Sequence, residues 1–179
     1  IKIRVEGYKD QTNQQIAQVV QDAGADFLIV HGRHWTENYD IACRYEQIAY
    51  FVQELKIPVI GNGDIACLSS LQKMFATNCA GVMISRAGVG QPWLVAQLAA
   101  MMRGDDFTIP ATEKIGGIFL QHIYELSKLF DDEKFAVIQA RKLVKYYARG
   151  IANKTNLVNA VNGCDSLNGM EKIILQYFI

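Results

Sequence analysis

Four short, almost uninterrupted apolar runs alternate with helical patterns in the first half of this 179-residue chain. The runs are rich in Val and Ile and cover residues 1–5, 26–31, 57–60 and 80–85. Continuous apolar strands are typical of parallel sheets, because both faces of such sheets are buried. Between the runs, apolar residues recur at helical spacing over residues 14–23, 45–55 and 68–76. Strands that alternate with helices predict four parallel strands in sequence order, with the helices on one face.

The second half of the chain predicts helices only. Apolar residues recur at helical spacing over residues 113–129, 133–148, 157–161 and 166–178. A segment with two Asp and one Pro precedes the first of these helices and predicts a linker. We therefore divide the chain into an α/β domain at 1–103, a linker at 104–111 and a helical domain at 112–179.

Composition excludes several classes of protein. Lys+Arg and Asp+Glu both total 18, so the net charge does not indicate nucleic acid or membrane. The four cysteines lie far apart without a Cys-x-x-Cys pair, which argues against a metal site or disulfides and favours a reducing cytoplasm. No apolar run approaches the roughly 18 residues of a membrane helix. The chain starts inside a predicted strand without an initiator Met, so we expect a fragment with sequence upstream.

Two strand ends are compatible with a bound phosphate. Residues 58–65 (Pro-Val-Ile-Gly-Asn-Gly-Asp-Ile) let the backbone turn sharply and expose N–H groups, although a simple tight turn explains this motif equally well. Residues 81–88 again lead from a strand into small residues, now with Arg86. The common phosphate site of (β/α)8 barrels lies in the loops after strands 7 and 8. We therefore predict the second half of a (β/α)8 TIM barrel, strands 5 to 8, followed by a small all-α domain.

Two further residues point to the same site. His31 ends the second strand, at the end of a barrel that forms the active site, although a structural His is the alternative. Lys2 and Arg4 share one face of the first strand because side chains alternate along a strand. We expect Lys2 to be buried, and a buried lysine needs an anionic or acceptor partner.

Together these motifs resemble the tRNA-dihydrouridine synthase family of flavoenzymes. The similar segments occur in the family's order: Ile-Lys-Ile-Arg at 1–4, Val-His-Gly-Arg at 30–33, residues 58–65, and Val-Met-Ile-Ser-Arg-Ala at 82–87. The resemblance is weaker at 140–142, 146–147 and 150, where it implies the family's helical RNA-binding domain. Ser85 and Ala87 stand where the family usually has Gly. A Cβ there narrows the phosphate pocket, although the Ser85 hydroxyl can donate a hydrogen bond.

The resemblance implies FMN-dependent reduction of uridine to 5,6-dihydrouridine in tRNA, with NADPH as reductant. The cofactor-binding residues that it implies are Lys2, His31, Asn62, Gly63, Asp64, Ser85 and Arg86. The family's catalytic acid is a Cys in the first half of the barrel, so we expect no catalytic residue here and no activity from this chain alone. The alternatives are another FMN barrel acting on a small molecule, and an inactive half barrel that binds partners or self-associates through open sheet edges.

A cationic stripe in the helical domain predicts contact with tRNA. Residues 134–154 contain six cations and no acid. Arg141, Lys145 and Arg149 are spaced four apart, so they line one side of a helix, with Lys142 beside them. Apolar residues fall on another side. Phosphate backbones are the natural partner of such a stripe, and with Arg33 these four cations are the predicted RNA-binding residues.

Overall fold

The structure is a computed structural model that describes residues 1–6 and 10–178, without the side chain of Asp10. Backbone contacts divide the chain into two compact units. The first contains Ile1–Ala87 and Leu98–Asp105, and the second contains Gly88–Gln97 and Asp106–Ile179. The linker at residues 104–111 stays a prediction.

The first unit is built on a parallel sheet of four strands. In sequence order they are β1 (Lys2–Arg4), β2 (Leu28–His31), β3 (Val59–Asn62) and β4 (Gly81–Met83). They pair as β1-β2-β3-β4, which confirms the predicted strand order. The register aligns Arg4 with His31, His31 with Asn62, and Asn62 with Met83. The last residues of the four strands therefore form one row across the sheet.

Helices connect these strands as the alternating pattern predicts. They are α1 (Asp10–Asp22), α2 (Tyr45–Glu54) and α3 (Leu68–Phe75). The apolar side chains of Leu28, Val30, Ile48, Phe51 and Met74 are fully buried and form the core between helices and sheet. A fourth helix, α4 (Leu94–Arg103), was not predicted, although its run of Ala, Leu and Met has high helix propensity.

The second unit consists of helices, and its four predicted helices are confirmed. They are α5 (Thr112–Phe130), α6 (Glu133–Tyr147), α7 (Lys154–Gly163) and α8 (Leu167–Phe178). Their shared core includes Phe119 and Tyr147, whose rings stack with centroids 4.4 Å apart. Asp132 caps α6, because its carboxylate accepts a hydrogen bond from the Phe135 N–H at 2.9 Å. Within the described residues, no helix is long and apolar enough to cross a membrane.

Candidate functional site

A pocket of about 360 Å³ lies at the carboxyl ends of the four strands. The row of strand-end residues Arg4, His31, Asn62 and Met83 lines it, as does Tyr39. All seven residues predicted to bind the cofactor also line it: Lys2, His31, Asn62, Gly63, Asp64, Ser85 and Arg86. The sheet therefore brings together residues that are dispersed over more than eighty positions of the sequence.

The pocket has an excess of positive charge. Lys2, Arg4 and Arg86 line it together with a single acid, Asp64. The expectation that Lys2 is buried was wrong, since its side chain is exposed. The reason is that β1 lies at the edge of the described sheet and pairs with β2 alone. Lys2 and Arg4 nevertheless share the face that forms the pocket, as strand alternation predicted.

Asn62 ties the end of β3 to the segment after β4. Its side chain is buried, and its Nδ2 donates to the Met83 carbonyl at 2.8 Å and to Ser85 Oγ at 3.2 Å. Because the Ser85 oxygen accepts this bond, the hydroxyl proton is available to a ligand in the pocket. The Ser85 hydroxyl is therefore a free donor among the residues that line the pocket.

The turn after β3 has an unusual backbone. Gly63 has φ +130° and Asp64 has φ +54°, so two successive residues adopt positive φ. The Asp64 carboxylate holds this turn, since its Oδ2 accepts hydrogen bonds from the Cys43 N–H at 3.0 Å and from Arg33 at 2.5 Å. The bonds of Asp64 thus hold in a fixed conformation a turn that lines the pocket.

Arg33 is buried and does not line the pocket. The side chain is 1% exposed and donates to the carbonyls of Ile41 and Tyr39 as well as to Asp64. A guanidinium buried in this way cannot contact RNA, so the predicted role of Arg33 in RNA binding is corrected to a structural one. It fixes the loop after β2 against the turn after β3.

His31 is buried and carries no charge at neutral pH. Burial lowers its pKa to about 4, helped by the positive charges of Arg4, Lys2 and Arg33. Its Nε2 lies 3.4 Å from Arg33 Nη1. A neutral imidazole in this position can accept or donate one hydrogen bond without adding charge to the pocket.

Tyr39 is a pocket residue that the sequence did not reveal. The Arg86 guanidinium lies 3.4 Å from the centre of its ring, and its hydroxyl accepts a hydrogen bond from Arg4 Nη2 at 3.3 Å. Arg86 Nη2 is also 3.7 Å from Asp64 Oδ1. The ring therefore orients two of the three cations that line the pocket.

None of the four cysteines, all of which are described, lines the pocket. Cys43 contacts a residue of the pocket, since its Sγ lies 3.7 Å from the Asn62 carbonyl oxygen. Burial raises the pKa of the Cys43 thiol to about 11, so it stays protonated. Cys67 is exposed at the start of α3, where the hydroxyls of Ser69 and Ser70 lower its pKa to about 7.

Three residues of the predicted cationic stripe, Arg141, Lys142 and Lys145, lie on α6 in the second unit, whereas Arg149 follows the end of that helix, which the prediction had extended too far. Lys142, Lys145 and Arg149 are exposed, and the opposite side of the helix is buried, as its apolar spacing predicted. Arg141 differs, because it is half-buried and its Nη2 donates to the Cys164 carbonyl at 2.7 Å. Arg141 therefore also ties the end of α7 to α6, and its contact with RNA stays a prediction.

The fold is therefore α/β, with four parallel βα units like the second half of a (β/α)8 barrel, followed by helices. Its phosphate-compatible pocket is in the position usual for enzymes of this barrel class. The chain belongs to the dihydrouridine synthase (Dus) family, whose model matches residues 1–177.

Named relatives agree with this assignment. The chain is 32% identical over 154 residues to the tRNA-dihydrouridine synthase B of Pasteurella multocida, covering 84% of the chain and 46% of that protein. It is 31% identical over 183 residues to a probable tRNA-dihydrouridine synthase of Helicobacter pylori, and this match covers 99% of the chain and 52% of that protein. The tRNA-dihydrouridine synthase B of Pseudomonas aeruginosa is 33% identical over 150 residues, and this match covers 82% of the chain and 45% of that protein. The chain spans about half the length of these relatives.

Proposed function

We propose that this chain contributes the flavin-phosphate site of an enzyme that reduces uridine in tRNA to 5,6-dihydrouridine. The proposed cofactor is FMN and the proposed reductant is NADPH. The observation that carries the proposal is the convergence of all seven predicted cofactor residues on one positively charged pocket. Family membership supports the same reaction.

The donors of the pocket fit the phosphate end of a flavin nucleotide. We assign the phosphate to the space between the turn at residues 62–64 and the segment at 85–86. Arg86 supplies charge, Ser85 supplies a hydroxyl proton, and the turn supplies backbone N–H groups. Lys2 in β1 and His31 at the end of β2 would contact the flavin. The flavin supplies the hydride chemistry when it is bound, while the protein orients it and sets the local charge.

The substrate and location belong to the same proposal. The target base of tRNA has to leave its stack to reach a flavin in this pocket, as in other enzymes that modify bases. The exposed cations of α6 would then contact the tRNA backbone. A cytoplasmic location follows from the tRNA substrate. Self-association through the edges of β1 and β4 is also proposed, and light scattering of the purified chain tests it.

Titration of the purified chain with FMN, followed by flavin fluorescence, tests the site directly. Arg86→Ala should weaken binding roughly tenfold to hundredfold, as expected for a charge-assisted hydrogen bond worth about 1.5–3 kcal/mol. Arg103→Ala is the matched control, because Arg103 is exposed, pairs with Asp105 and does not line the pocket. Equal FMN affinity in the wild type and Arg86→Ala, or no binding by the wild type, would contradict the proposed site.

A gel-shift measurement with unmodified tRNA separates the proposed substrate from a small molecule. The proposed function expects a shift that added salt weakens, because phosphate contacts release counterions. FMN binding without any affinity for tRNA would instead favour the FMN oxidoreductase with a small-molecule substrate.

A further inference from the structure

Trp35 exposes an unusually large apolar surface in the loop after β2. Its side chain is 71% exposed, although tryptophan is highly buried on average. It lies in residues 32–44, which connect β2 to α2. The ring of His34 is 5.5 Å away and tilted by 46°, so it covers the indole only in part. An indole face that is open to solvent is available to a planar ligand.

The backbone of His34, directly before Trp35, is fixed by hydrogen bonds. The His34 N–H donates to Glu37 Oε2 at 2.8 Å, and Arg4 Nη1 donates to the His34 carbonyl at 3.2 Å. Glu37 is in turn paired with Arg44 at the start of α2. The indole is therefore presented from a held backbone, so little conformational entropy would be lost when a ligand stacks on it.

The same bonds join the backbone next to Trp35 to a residue of the pocket. Arg4, which lines the pocket, bonds directly to the residue before Trp35. Tyr39, four positions further along the same loop, lines the pocket as well. Arg4 thus brings a guanidinium to the residue next to the indole, while the acid Glu37 of this loop is paired with Arg44 and Glu6 Oε2 lies 3.4 Å from His34 Nε2. An exposed ring next to one residue of a cation-lined pocket matches a ligand with flat apolar faces and a polyanionic backbone, which is single-stranded nucleic acid.

We propose that Trp35 stacks on an unpaired base of the RNA strand that approaches the pocket. The idea rests on the proposed function, since it takes RNA as the substrate. Sequence-specific and single-strand RNA recognition commonly places unstacked bases on aromatic side chains. A strand that gives up one base to the pocket loses stacking next to it, and Trp35 offers a replacement surface at that point.

The chain contains two tryptophans, so its fluorescence can report on this contact. In a Trp93→Phe background, Trp35 is the single indole. Titration with single-stranded oligouridylate should quench its emission, whereas duplex RNA of equal length should quench it far less. In the 179-residue chain, Trp35→Ala should weaken oligouridylate binding roughly fivefold to hundredfold, which corresponds to the loss of one base–aromatic stack.

Phe27→Ala provides a matched control. Phe27 is also an exposed aromatic residue of the first unit, but it precedes β2 and so lies at the opposite end of the strand from the pocket. This variant should keep the wild-type affinity for oligouridylate. Unquenched Trp35 emission at saturating oligouridylate, or equal affinity of the wild type and Trp35→Ala, would overturn the proposal.

An FMN titration distinguishes this inference from the proposed function. Trp35→Ala should bind FMN as the wild type does, because Trp35 does not line the pocket. Normal FMN binding without Trp35 quenching refutes the stacking contact alone. Trp35-dependent quenching in a chain that does not bind FMN supports the stacking contact and refutes the flavin site.

Discussion

The Arg86 guanidinium stacks on the ring of Tyr39, with its central carbon 3.4 Å from the ring centre. Tyr39 also accepts a hydrogen bond from Arg4 through its hydroxyl. A loop residue after β2 thus orients one cation from β1 and another that follows β4. Without this ring, Arg86 would keep its 3.7 Å approach to Asp64 and Arg4 its bond to the His34 carbonyl, so each cation would be held less firmly. Tyr39 therefore matters to anion binding through the positions of these two cations.

Substitution of Tyr39 should separate the contribution of the ring from that of the hydroxyl. Tyr39→Leu removes both contacts and should weaken FMN binding about threefold to tenfold, because a cation–π contact contributes about 0.5–1 kcal/mol and the hydrogen bond adds to it. Tyr39→Phe keeps the ring beneath Arg86. It should lose less than half of the FMN-binding free energy that Tyr39→Leu loses. Flavin fluorescence measures both affinities. If the two variants bind FMN equally weakly, the ring does not orient Arg86.

The pair of Arg33 with Asp64 should contribute to the free energy of unfolding. Asp64→Asn removes the charge while keeping a residue type that tolerates positive φ. We expect a loss of about 2–3 kcal/mol, less than for a fully buried pair, because the Asp64 side chain is 32% exposed. Asp105→Asn breaks an exposed pair with Arg103 and should cost under about 1 kcal/mol. Urea unfolding measures the free energy of unfolding of both variants. Equal losses in the two variants would contradict a stabilising role for the pair of Arg33 with Asp64.

The low pKa of His31 predicts a loss of stability in mild acid. Its folded pKa of about 4 lies below the ordinary value of 6.5, so the unfolded chain binds the proton first as the pH falls. Neutral His31 therefore contributes fully to the free energy of unfolding above pH 6.5. As the pH falls from 6.5 to 4, this contribution is lost progressively, by about 2–3 kcal/mol in total. His31→Gln should lose less stability over this range. Parallel pH dependence in the two proteins, measured by chemical unfolding, would show that His31 is not responsible.

Two neighbouring glycines of α5 should respond in opposite ways to alanine. A Cβ on Gly116 would lie 2.5 Å from the Cβ of Phe178, so Gly116→Ala should destabilise the helical unit by about 1–3 kcal/mol. A Cβ on Gly117 meets nothing within 4 Å, and Gly117→Ala should stabilise it by about 0.5–1 kcal/mol. Thermal unfolding, monitored by circular dichroism, measures the stability change of each variant. The same sign for both changes would contradict the close packing of α5 against α8.

The sequence predicted the strands and most helices because their patterns are local. Apolar runs buried on two faces and helices with one apolar side can be recognised without knowing their neighbours. The phosphate-compatible turns were recognised for the same reason, since Gly63 and the small residues after β4 mark sharp turns within a few positions. The pocket then follows from the parallel order, which brings the strand ends together.

Errors arose where a residue's role depends on a distant partner. Arg33 looked like an exposed cation because its partner Asp64 lies 31 positions away in the sequence. Lys2 was expected to be buried because its neighbours in sequence are apolar, but burial depends on which strands lie beside β1. Tyr39 was missed because nothing in its local sequence shows that two arginines converge on its ring.

The cations of α6 give the last prediction, which concerns tRNA binding by the second unit. Arg141 is unsuitable for the test, because its bond to the Cys164 carbonyl means that its removal also disturbs the packing of α7. Lys142 and Lys145 are exposed on the same helix, and the Lys145 ammonium lies 5.0 Å from the centre of the Tyr146 ring. This contact keeps Lys145 against the helix without neutralising its charge.

Lys142→Ala combined with Lys145→Ala should therefore weaken tRNA binding and flatten its dependence on salt. Each lysine that contacts a phosphate contributes about 0.7–0.9 to the slope of log affinity against log salt, so the double variant should lose up to about 1.8. Lys114→Ala combined with Lys128→Ala removes the same charge from α5, where Lys128 is already paired with Glu125. That control should keep the wild-type slope, and FMN affinity should be unchanged in both. An equal change of slope in the two double variants would mean that overall charge, rather than the exposed side of α6, determines the affinity for tRNA.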